Sequence, residues 1–230
     1  MLTNKENKLR GNMDERVAIF IDGSNLYHSV QNNFGRHDLN FTEFANKLVA
    51  GRKLSRIYYY NMLQDPAQYP DSYREQQDFL EVLKKTPYLE IRLGTAKKAL
   101  GVEKGIDIMI GTDLLYFAWS NFYDVAILVS GDADFAYAVQ AVKNMGKHVE
   151  VAYFESATSK DLLDVADNRY LLDRNFFNGV WVIKQRRPQR RREGRKGRGM
   201  PGQGIGQTQA SPGAVFKAPA PPMNANEFQP

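Results

Sequence analysis

The sequence predicts an α/β fold, a parallel sheet sandwiched between helices, on three observations. Strand-like and helix-like segments alternate along the chain. Several of the strand-like segments, above all Val17–Ile21 (VAIFI) and Val125–Val129 (VAILV), are unbroken apolar runs, the pattern of strands buried on both faces. Both runs stop at aspartate-bearing turns, Asp22-Gly23-Ser24-Asn25 and Ser130-Gly131-Asp132-Ala133-Asp134, and open α/β sheets hold their ligands just beyond the carboxyl ends of strands.

Taken in order, residues 1–15 are polar and read as a flexible leader without the apolar core of a signal peptide. Val17–Ile21 is the first strand, and Asp22 or Ser24 can cap a helix running through Leu26, Tyr27 and Val30. Phe41–Val49 places Phe41, Phe44, Ala45 and Leu48 on one helical face, with Gly51 closing it. Arg56–Leu63 is β-branched and aromatic, hence a strand. Within it, Tyr58, Tyr59 and Tyr60 are expected to alternate between core and sheet surface. Asp71–Lys85 reads as a helix bearing Phe79, Leu80, Val82 and Leu83 that ends before Pro87, and Leu89–Leu93 as a short strand.

A lysine- and glycine-containing loop leads to a helix over Ile106–Trp119 and then to the central strand Val125–Val129. Phe135–Met145 is helical with Phe135, Ala138, Val139 and Val142 inward, and Gly146 terminates it. His148–Phe154 is a strand, Lys160–Ala166 a helix, Arg169–Leu172 a short final element, and Phe176–Ile183 an added edge strand. The folded domain is therefore drawn over residues 16–183, with connections that should be right-handed crossovers.

From Lys184 onward the chain changes character. Residues 184–230 hold ten basic residues against two acidic ones, a charge of +8 beside −3 for the remainder. Arginine, glycine, glutamine and proline dominate, and too little apolar surface is available to offset the entropy of ordering, so this tail reads as disordered. Its basicity calls for a polyanionic partner. The chain has no cysteine, which excludes disulfides and thiolate metal sites and suits a reducing, cytoplasmic setting. No apolar run approaches a membrane span. Oligomeric state is left open, a homodimer included.

Asp22 and Asp132 follow comparable apolar strands, and if those strands are neighbours the two carboxylates fall within reach of one ion. Each has a plainer explanation, since Asp-Gly is a turn dipeptide and Asp a good helix cap. Two acidic strand ends on the same rim make the plainer explanation weaker. At roughly 100° per residue, Asp113 shares a face with Ile106, Ile110 and Phe117, where a carboxylate requires a donor or a cation. Asp107 lies near the start of that helix, about a quarter-turn from the stripe. Helix capping by Asp107 and backbone hydrogen bonding by Asp113 remain alternatives. Should Asp22, Asp107, Asp132 and Asp134 converge, their like charges require a cation. An all-oxygen set suits Mg²⁺ or Mn²⁺ rather than Zn²⁺. Such a centre serves in-line displacement at a phosphoryl group, and with a basic tail attached the substrate becomes a phosphodiester, RNA.

Four segments, FIDGSN (Phe20–Asn25), KGIDIMIGTD (Lys104–Asp113), LVSGDADF (Leu128–Phe135) and GKHVEVAYF (Gly146–Phe154), resemble in sequence and order the NYN domain, in its LabA-like branch within the PIN-like nuclease superfamily. The resemblance covers about Arg16 to Leu172. It implies a three-layer α/β/α sandwich on a central, mainly parallel sheet and a metal-dependent ribonuclease activity. It also implies that Asp22, Asp107, Asp132 and Asp134 hold the metal and form the catalytic centre with Asn25, which would orient water or the scissile phosphate. Lys104, Ser130 and Asp113 would sit around that centre, Lys104 as a phosphate contact. The arginines of Arg186–Arg198 lie outside the resemblance and are expected to grip RNA phosphates. His28, His37 and His148 show no ligand spacing and read as bystanders.

Two other functions share the pattern. One is a non-catalytic RNA-binding or regulatory adaptor on the same fold. The other is a phosphatase using Asp22, disfavoured because Asp22-Gly23-Ser24 lacks the second aspartate of a DxD motif.

Overall fold

A computed structural model describes residues 14–95 and 105–182. The expectations for the leader before Asp14, for Lys104 and for the basic tail lie outside these residues. Within them are the strands β1 (Arg16–Asp22), β2 (Lys53–Leu63), β3 (Leu89–Thr95), β4 (Val125–Val129), β5 (His148–Tyr153) and β6 (Asn168–Leu171). Between the strands run the helices α1 (Gly23–Phe34), α2 (Phe41–Val49), α3 (Pro70–Leu83), α4 (Ile106–Trp119), α5 (Ala136–Asn144) and α6 (Lys160–Val165). The strands form one wholly parallel sheet in the order β3-β2-β1-β4-β5-β6.

The continuous apolar runs account for the layering. Every residue from Val17 to Asp22 is buried, so side chains alternating off β1 meet cover on both faces. Val17, Ile19, Ile21 and Tyr59 join residues of α1, α2 and α3 in one core. Ala18, Phe20, Tyr58 and Tyr60 join α4, α5 and α6 in the other. The result is the three-layer α/β/α sandwich that the resemblance implied.

The chain builds outward from β1 to β2 and β3, then returns to place β4 on the other side of β1 and continues to β5 and β6. The β1–β4 junction is thus the topological switch point. Connections leave neighbouring strands there in opposite directions and open a crevice at their carboxyl ends.

Local expectations hold closely, with four corrections. Phe176–Ile183 is not an edge strand: up to Val182 it forms a turn-rich cap touching Leu39 through a single antiparallel bridge from Trp181. Its bulky rings are consumed in packing, Phe177 stacking on Phe44, Phe154 and Trp181, so the segment closes the α1–α2 side of the core. All three tyrosines of β2 are buried, because helices cover both sheet faces. Val82 faces outward on α3. Helix α2 ends on Ala50, itself left-handed at φ 53°, one residue before Gly51. Among the described residues no helix is long and apolar enough to cross a membrane.

Candidate functional site

Parallel pairing sets Ile21 opposite Val129, so the next residues of β1 and β4, Asp22 and Ser130, emerge side by side in the crevice. Asp22 is 7% exposed. One carboxylate oxygen accepts the Asn25 N–H at 3.0 Å, capping α1; the other accepts the Ser130 hydroxyl at 3.3 Å. The Ser130 oxygen in turn accepts the Asp132 N–H at 3.2 Å, and the Asp132 carboxylate accepts the Asp134 N–H at 3.0 Å. Asp132 therefore caps the short 3-10 turn Ala133–Phe135 that leads into α5.

Two glycines let backbone pass where no side chain fits. A Cβ on Gly131 would lie 1.8 Å from the Ala157 carbonyl oxygen. One on Gly23 would lie 2.4 Å from the Tyr59 ring and 2.6 Å from the Tyr60 carbonyl oxygen. The requirement at Gly131 is close approach of another segment, beyond the tight turn expected there.

Asp107 is exposed in the first turn of α4, behind Gly105, which occupies the cap position without a side-chain bond, so Asp107 is not the cap. It nevertheless belongs electrically to the same rim. Burial pushes the Asp22 carboxyl up to about 6; the Asn25 N–H and Ser130 oppose this, while the charges of Asp107 and Asp132 add to it. The Asp107 carboxyl is also raised, first by the partial desolvation of its carboxylate against the rim and then by the charges of Asp132 and Asp134. The four acids expected to converge are thus electrostatic neighbours at one end of the sheet. Among the described residues, however, no group of three acidic or imidazole side chains is spaced to hold a metal ion. By chemistry the donors suit a hard divalent cation, since they are all oxygens and a buried carboxylate is set among like charges.

Asp113 meets the requirement its apolar face imposed. It accepts the Tyr60 hydroxyl at 2.7 Å and is paired with Arg92, which also holds Glu90. The Arg92 guanidinium lies over the rings of Tyr58 at 4.8 Å and Phe117 at 5.3 Å. Asp113 therefore ties α4 to β2 and β3, with its charge already answered, and the backbone-amide alternative does not apply. Burial and the adjacent carboxylate hold the Tyr60 hydroxyl firmly protonated. Sequence reading did not single out Arg92, because an arginine in a short strand gives no sign of the acid it will meet. Asn25 is half-buried with its backbone on Asp22, and its side-chain amide makes no hydrogen bond among the described residues.

The NYN domain family model matches residues 16–173. The Low amplitude and bright protein LabA of Synechococcus elongatus is 29% identical over 186 residues, spanning 76% of this chain and 91% of LabA. Among solved structures, a protein of unknown function from Vibrio parahaemolyticus RIMD 2210633 matches with a TM-score of 0.57 at 24% identity. It covers 73% of this chain and 99% of its own, a likeness of fold.

Proposed function

The chain belongs to the NYN domain family, and we propose that it is a metal-dependent ribonuclease, an endonuclease acting on RNA phosphodiester bonds in the cytoplasm. The observation that most supports this reading is the pairing of β1 with β4, which sets the buried Asp22 beside Ser130 and within the electrostatic reach of Asp107 and Asp132. Asp22, Asp107, Asp132 and Asp134 would hold Mg²⁺ or Mn²⁺, which would supply charge neutralisation at the phosphoryl group and activation of water. Asp22, fixed by the Asn25 N–H and Ser130, contributes the rigid oxygen of the set. The Asn25 amide orients the scissile phosphate or the attacking water, and Lys104 contacts a neighbouring phosphate. Asp113, bound to Arg92 and Tyr60, positions the helix that carries Asp107. The tail from Lys184, through Arg186–Arg198, adds sequence-independent phosphate contacts to the domain of residues 16–183.

One observation favours a second reading, a non-catalytic RNA-binding or regulatory adaptor: no three acids stand at ligating spacing among the described residues. Cleavage of RNA in the presence of Mn²⁺, comparing wild type with Asp22→Asn and Asp132→Asn, separates the two. The nuclease reading expects wild-type cleavage and a loss of about 100-fold or more in each variant. Wild-type protein that binds RNA and cuts nothing with any divalent metal would leave the adaptor. Truncation after Ile183 should weaken RNA binding and flatten its salt dependence. Equal affinity at low and high salt would reduce the tail to a solubilising segment.

A further inference from the structure

We propose that the cleft between α1, the end of β2 and α3 is a nucleobase subsite, holding the base of a single-stranded RNA nucleotide next to the cut. This placement rests on the ribonuclease reading. The cleft is a small recess that opens to solvent on one side, so a ligand there would be gripped on some faces and left exposed on others. Ser24, Tyr27 and His28 contribute from α1, Tyr59 and Gln64 from the end of β2 and the residue after it, and Phe79 from α3. No aspartate, glutamate, lysine or arginine lines it among the described residues. Such a lining suits a flat, hydrogen-bonding group and provides no carboxylate, ammonium or guanidinium as a fixed countercharge for an amine or a phosphate. A nucleobase has that chemistry.

The walls are built rather than incidental. Gln76, buried on α3, accepts the Gln64 N–H at 2.9 Å and donates to the Met62 carbonyl at 2.7 Å, clamping the chain that leaves β2. Asn61 accepts the Met62 N–H and donates to the Tyr59 hydroxyl at 3.3 Å, which leaves it one free N–H. Tyr59 and Phe79 meet edge to face at 5.9 Å, and Tyr27 stacks on His37 at 4.9 Å, so the rings of the lining are held from behind. Against this fixed frame, the Ser24 hydroxyl, the half-buried Gln64 amide and the exposed His28 imidazole make no hydrogen bond among the described residues. They are the groups left to read a base edge.

Position supplies the link to RNA. Ser24 is two residues from Asp22 along the chain, and the Tyr59 ring lies against Gly23. The Asp22 charge reaches the Tyr59 hydroxyl. A nucleotide whose phosphate sat at Asp22 would have the cleft as the adjoining space for its base.

The full chain, metal-free in EDTA, is titrated with the four ribonucleoside 5′-monophosphates and with ribose 5-phosphate, following the His28 imidazole resonances and heat of binding. At least one nucleotide should bind more than tenfold more tightly than the base-free sugar phosphate. His28→Ala and Gln64→Ala should each weaken that binding by about tenfold. A single-stranded RNA should bind more weakly once the nucleotide in the cleft is made abasic. Equal binding of nucleotide and sugar phosphate, no nucleotide binding, or variants that bind like wild type would overturn the subsite. Base-dependent nucleotide binding without any effect of the abasic change would assign the cleft to a free nucleotide and overturn the RNA source. Base-dependent binding in a protein that cuts no RNA would sink the ribonuclease reading alone. Cleavage indifferent to both substitutions would sink the subsite alone.

Discussion

Replacing Asp22 with asparagine should make the metal-free protein more stable at neutral pH while removing the proposed activity. Burial, with Asp107 and Asp132 nearby, moves the Asp22 carboxyl from 3.8 to about 6. A carboxyl that holds its proton more tightly in the folded state supports the fold fully below its unfolded value. That support is lost as pH rises through about 6. Above it, keeping the ionised carboxylate in place costs about 3 kcal/mol, and at 7% exposure solvent screening removes little of this. Asparagine carries no charge to bury. Its side-chain oxygen can still accept the Asn25 N–H that caps α1, and the Ser130 hydroxyl can turn to accept from the new amide.

Urea unfolding in EDTA at about pH 8 and about pH 4 measures the effect, with Asp22→Asn expected to lead by about 3 kcal/mol at the higher pH and by close to nothing at the lower. Added Mn²⁺ should raise the midpoint of the wild type and not of the variant. A variant no more stable than wild type at the higher pH would refute the reasoning, as would a lead that does not change with pH.

Gly131→Ala should lower stability by about 2–3 kcal/mol, because the added methyl meets backbone rather than a movable side chain; a thermal melt reports it. Arg52 and Glu150 form a two-pronged pair at 3.0 and 2.7 Å, with side chains only 7% and 10% exposed, joined by the Tyr170 hydroxyl. Glu150→Leu alone should cost about 3–5 kcal/mol by stranding the guanidinium, whereas adding Arg52→Met should recover part of that loss in a double-mutant cycle.

Much of the site was legible in advance for a local reason. An uninterrupted apolar run followed by Asp-Gly or Ser-Gly-Asp marks a strand end and its acid within a few adjacent residues, and α2, α4 and β4 carry their expected bounds for the same reason. The need of Asp113 for a donor or a cation was legible from helical spacing, but not that it meets one of each, nor which residues they are. Tyr60 and Arg92 lie 53 and 21 residues away, and only the β2–β3 pairing aims them at α4. Glu150 reads as an ordinary alternating strand residue, and its buried partner is 98 residues distant. The cap ending in Val182 misled because apolar aromatic content serves a strand and a hydrophobic plug equally well.

By itself, then, the sequence determined the segments that became β1–β6 and α1–α6, the aspartates that stand at strand ends, and the family the chain joins. Those properties are written in periodicity and neighbouring residues. Only the tertiary structure decided that β1 and β4 lie side by side, that Asp22 is buried, and that no three of the acids stand at ligating spacing among the described residues. Strand order comes from burying two helix layers on one sheet, a balance over the whole chain that no short stretch records.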